Sequence, residues 1–168
     1  MNSRTCVLLL AVLCGAVMAD PKRDARQKRL WPTRCYPGSH CYPEQEDIAH
    51  LQSKLTGSVV VPSDAAYPST VETSNLRWTR SPGLVVIVRS IQDVQTAMLF
   101  ARRFYLNVVY SGSGVDYQGR GNYDGAMKID LSQLKLSPVQ VSVNQFNQNV
   151  PGTVTAYAGN TWGEIYSQ

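Results

Sequence analysis

The sequence predicts an α+β fold: an amino-terminal βαβ subdomain, then the start of a second, mixed or antiparallel α+β subdomain. Three observations carry this. Leu84–Val88 is a continuous apolar run, as expected of a strand buried on both faces. The segment after it carries a helical stripe and closes on a second β-branched run, Val108-Val109. Further short strand-like runs then follow a glycine-rich stretch.

Taken in order, Glu44–Leu55 reads as a helix. Ile48, Leu51, Gln52 and Leu55 fall three and four apart, and acids occupy the first turn. Gly57 stops it, and Ser58–Val61 is a short β-branched strand ended by Pro62. Residues 63–81 are polar and are expected to be irregular; Trp78 within them is a packing residue. Ser90 caps the next helix, with Asp93 at its third position. Val94, Ala97, Met98, Ala101 and Phe104 form its apolar stripe, and Arg102 and Arg103 complement its carboxyl end. A strand, a helix and a strand so arranged make the two strands parallel. Met127–Leu131 reads as another strand. The alternating Val139, Val141 and Val143 and the run Val154–Tyr157 read as two more. Thr161-Trp162-Gly163-Glu164 is a capping box. The helix it opens has barely begun at Gln168, so the chain is expected to be incomplete.

A length of 168 residues allows one domain with a real core. Residues 1–19 read as a secretory signal: Arg4, a short apolar stretch Cys6–Val17, then Val17-Met18-Ala19. Residues 20–33 form a basic arm or a propeptide, since Arg26-Gln27-Lys28-Arg29 resembles a processing site. Net charge is +4. The first 29 residues hold six basic and two acidic side chains, so the remainder is neutral. That body offers no electrostatic basis for binding nucleic acid or an anionic membrane, and no later apolar run is long enough to span a bilayer. A secreted location is expected. In that compartment Cys35 and Cys41 are expected to form a disulfide; a metal pair completed by His40 or His50 is the rival reading. The two histidines otherwise read as exposed surface residues.

Tyr110–Gly121 holds four glycines, two serines and an aspartate. Glycine opens positive φ, so consecutive N–H groups can turn towards one point and make an anion nest. The plainer reading is a surface loop; the position at the carboxyl end of a parallel strand favours a ligand. Two phosphate-loop patterns fail here. Gly114 and Gly119 have P-loop spacing, but Arg120-Gly121 replaces Lys-Ser/Thr. Gly112 and Gly114 begin a dinucleotide fingerprint that Tyr117 breaks. Asp116 is read as orienting the loop. Tyr67, Tyr110 and Tyr117 are read as packing or hydrogen-bonding residues, with stacking on a flavin as the rival.

Four ordered segments resemble the FAD-binding domain of the p-cresol methylhydroxylase and vanillyl-alcohol oxidase type, in its berberine-bridge-like branch. They are Arg34–Pro43 with Leu55-Thr56-Gly57, Val85–Ala101, Ser113–Arg120 with Ile129-Asp130-Leu131, and Ala158–Tyr166. By this resemblance residues 34–56 are the disulfide loop and helix, and 57–168 a partial FAD-binding domain. The backbone at Ser111, Gly112, Ser113, Gly114, Val115, Asp116, Tyr117 and Gly119 is expected to hold the FAD pyrophosphate, and Gly159 to approach the flavin. The implied activity is oxidation of a small organic substrate, with dioxygen as a common acceptor in the family. The family's tethering histidine falls on Val115, which has no nucleophilic atom, so FAD is expected to be held there non-covalently. No catalytic residue is assigned. The rival is a non-catalytic secreted protein that kept the fold without flavin.

Overall fold

The computed structural model describes residues 34–142 and 152–167. The expected signal peptide and basic arm, Val143 and the terminal Gln168 lie outside the described residues. The elements, in chain order, are α1 (Gln45–Gln52), β1 (Ser58–Val60), α2 (Tyr67–Val71), β2 (Leu84–Ile87), α3 (Ile91–Arg103), β3 (Val108–Ser111), β4 (Met127–Asp130), β5 (Gln140–Ser142), β6 (Thr153–Thr155) and α4 (Trp162–Tyr166). Four strands form one sheet in the order β1-β2-β4-β3, and β5 and β6 form a separate antiparallel pair.

The expected strand–helix–strand unit is present, with β4 inserted between its strands. β2 and β3 each pair with β4 in parallel, Val85 and Val109 flanking Lys128 from either side. β1 closes the other edge antiparallel to β2. Burial explains the order. The β4 residues Met127, Lys128 and Ile129 are all buried, as are Leu84, Val85 and Val86 of β2. The partly exposed β3, with Tyr110 72% exposed, takes the edge. Each apolar side chain so buried contributes about 1.5–3 kcal/mol.

On one face of the sheet, Leu84, Val86, Met127 and Ile129 pack with Ala97 and Ala101 of α3, Phe104 at its C-cap, and Leu51 of α1. The alanines let α3 come close to the sheet. Ser90 caps it as expected, its Oγ accepting from Asp93 N–H at 3.0 Å. Cys35 belongs to the same core and is disulfide-bonded to Cys41, which replaces the metal-pair reading. His40 and His50 are both exposed.

Several boundaries differ from the sequence expectation. α1 ends at Gln52, short of Leu55, because the Gln52 side chain turns to bond Gly57 O and Val59 N–H and the chain swings into β1. A Cβ on Gly57 would lie 1.8 Å from Ile87 O, so this crossing requires glycine. β1 stops at Val60, since Val61 N–H turns to the Asp64 carboxylate. Residues 63–81, expected to be irregular, contain α2; Pro68 lies in its first turn, where a missing N–H costs nothing. β6 covers Thr153–Thr155 instead of Val154–Tyr157, because Tyr157 N–H bonds the Asn160 side chain. α4 spans Trp162–Tyr166 and carries the expected capping box.

Candidate functional site

Parallel pairing brings the carboxyl ends of β2, β3 and β4 to one side of the sheet. The glycine-rich loop leaves β3 there, and Leu131 N–H donates to Ser111 O at 2.8 Å to fix its root. Gly114 has φ +81° with open space where a Cβ would stand. Gly119 has φ +63°, and a Cβ there would come within 2.5 Å of the Trp78 side chain. Trp78 is thus a packing residue that closes one side of the loop.

Asp116 organises the turn. Its carboxylate accepts from Gln118 N–H at 3.1 Å, Arg120 N–H at 2.7 Å and the Arg120 guanidinium at 3.1 and 3.2 Å. Hydrogen bonds from the Arg120 side chain and Gln118 N–H hold its carboxyl down at about 2. Tyr117 O accepts from the Asn75 side chain at 2.8 Å, which ties the loop to the segment after α2.

Among the described residues, the N–H groups of 112–117 have no acceptor within the protein. Residues 111–116 edge a cleft of about 660 Å³. Ser111, Gly112, Ser113, Gly114, Val115, Asp116 and Gly119 all line it. Tyr117 does not; it is 76% exposed. Gly159 is buried beneath, where a Cβ would meet Leu131 O at 2.7 Å and Ser132 O at 2.8 Å. Its neighbours Ala158 and Asn160 reach the cleft, and Ala158 O would lie 2.8 Å from a Cβ on Gly112. The two glycine positions therefore let the loop and the 158–160 segment meet. Thr161 and Glu164 cap α4 reciprocally, and Lys135 pairs with Glu164 to hold that helix on the chain after β4.

The expectations about the tyrosines divide. Tyr67 donates to Pro82 O at 2.6 Å, a structural bond, whereas Tyr110 is exposed beside the cleft. Asp124 accepts from Ser81 N–H at 2.7 Å, a turn role. Asp130 ends the interior strand β4 and accepts from Ser132 N–H.

Lys128, Asn122, Glu72 and Thr73 also line the cleft and were not singled out from sequence. For Lys128 the signal was a cation within an apolar strand. The others are brought in by α2 and the crossing chain, which periodicity does not report. A run of unpaired N–H groups, an open glycine position and a buried cation together fit a diphosphate.

The family described as FAD binding domain matches residues 82–168. The FAD-linked oxidoreductase pgmH of Aspergillus terreus is 33% identical over 124 residues, covering 69% of this chain and 23% of that protein. The chain thus spans about a quarter of the length of the curated relatives it matches. Among solved structures, the VAO-type flavoprotein MtVAO713 from Myceliophthora thermophila C1 superposes with a TM-score of 0.63 at 16% identity, over 80% of this chain and 33% of that one. Physcomitrella patens BBE-like 1 gives 0.50 at 24% identity, over 58% of this chain and 21% of that one. The structural likeness shows the fold, and by the family match the chain belongs to the FAD binding domain family.

Proposed function

We propose that this chain holds the pyrophosphate of FAD on the backbone of Ser111–Asp116 and Gly119, within an exported oxidoreductase that acts on a small organic substrate. The observation that carries it is the run of unpaired N–H groups lining the cleft where the parallel strands end. When bound, FAD supplies two-electron oxidation, with dioxygen as a candidate acceptor. The chain's own part is to bind and orient. Asp116 fixes the turn, Gly114 leaves space for close approach, and the Ala158–Asn160 segment closes against Gly112.

Val115 lines the cleft and is 67% exposed. It offers no atom for a covalent link, so the flavin is held without a bond at this position. Titrating the full chain with FAD is expected to quench flavin fluorescence. Acid precipitation should then leave all yellow colour in the supernatant. Colour retained on the precipitated chain would refute non-covalent attachment, and no binding at all would favour a secreted protein that keeps the fold without flavin. That second reading rests on Val115 standing where the family has its tethering histidine. Export rests on the leader-like residues 1–19. Mass spectrometry of the exported protein is expected to find Asp20 as the first residue, and intact Met1 would overturn that reading.

A further inference from the structure

Lys128 lies in the middle of interior strand β4 and is 4% exposed. Its ammonium donates to Thr70 O at 2.7 Å. Among the described residues it has no carboxylate within ion-pair distance. Asp130 acts on it from farther along the same strand, and Glu72 stands at an exposed position on the same cleft. Beside Lys128 in that cleft is Asn122, 1% exposed. Its Nδ2 donates to Val71 O at 2.6 Å, and its Oδ1 is buried without a partner.

Thr70 and Val71 are the last residues of α2, so one donor from each side chain holds that helix end. This role uses neither the lysine's charge nor the asparagine's carbonyl oxygen. A buried ammonium without an anion and a buried acceptor without a donor are both costly. Burial also pulls the Lys128 ammonium below its ordinary pKa. Both residues line the cleft edged by the glycine loop, so an anionic ligand seated there can supply the counter-ion that Lys128 lacks.

We propose that Lys128 forms the inner end of the nucleotide site, on a wall that Asn122 braces through its bond to Val71 O. The Lys128 ammonium pairs with a phosphoryl oxygen of the FAD diphosphate. This rests on the reading of the cleft as the FAD site. It assigns the cationic part of diphosphate recognition to a strand residue, in addition to the loop backbone.

The test titrates the full chain with FAD and with riboflavin, which shares the ring and ribitol but carries no phosphate. Lys128→Met is expected to weaken FAD binding by at least about tenfold, the scale of a lost charged hydrogen bond, and to leave riboflavin unchanged. Lys128→Arg is expected to retain most FAD affinity. Lys128→Met binding FAD like the wild type would overturn the proposal alone. So would an equal loss for both ligands, which would mark a structural effect. A wild type that binds no FAD would overturn the site reading as well. Should Lys128→Met not fold, a crystal structure of the wild type with FAD decides: a phosphate oxygen within about 4 Å of Nζ supports the pairing, and its absence overturns it.

Discussion

At residue scale, Asp93 in the first turn of α3 does more than donate its N–H to the Ser90 cap. It is 1% exposed, and its carboxylate accepts from Thr56 N–H, Thr56 Oγ1, Gly57 N–H and Arg89 N–H at 2.8–3.1 Å. It joins the end of the α1 loop, the root of β1 and the exit of β2. Burial by itself would raise its carboxyl; the hydrogen bonds from Arg89 and Thr56 outweigh that and bring it from 3.8 to about 2. A depressed folded-state pKa gives stability that is present above about pH 4 and lost as pH falls towards 2, in total about 2 kcal/mol. Asp93→Asn is expected to lower stability at pH 7 by about 2–3 kcal/mol. Urea midpoints at pH 7 and pH 2.5 check this. The gap between wild type and variant should shrink at the lower pH, and an unchanged gap would count against the carboxylate.

At the scale of elements, the sheet order makes β4 the common partner. β2 and β3 touch it and not each other. The glycine loop is the connection between β3 and β4, so its two ends are pinned by that pairing. Amide hydrogen exchange is expected to show β3 opening no later than β4, with Ile129 among the most protected amides. Slow exchange in β3 alongside fast exchange in β4 would contradict this. The sequence signals were strong for β2, α3 and the Thr161–Glu164 capping box, because apolar runs and cap chemistry are local. They were weak for α2, where Tyr67-Pro68-Ser69-Thr70-Val71 lacks a periodic apolar face and its placement comes from Tyr67, Asn122 and Lys128 bonding across the chain.

For the molecule as a whole, the same division separates what could be read from what could not. The glycine loop, Val115 and the Ala158–Tyr166 segment were legible through their residue order, and most of the expected positions meet at one cleft. The inner wall was not legible. Lys128 stands out in sequence only as a cation in a short strand, and its burial follows once β2 and β3 flank β4 on both sides. Asn122 reads as loop polarity until Val71 stands opposite it. Both depend on sheet order, which has no local signature.

The Asp116 staple has a consequence for the speed of recognition. Its bonds to Gln118 and Arg120 exist in the chain alone, so part of the ordering that a ligand would otherwise impose is complete at folding. A pre-ordered nest needs no slow closure after encounter. Association would then be a single diffusive event, with an observed rate rising in proportion to ligand concentration and no plateau from a preceding rearrangement.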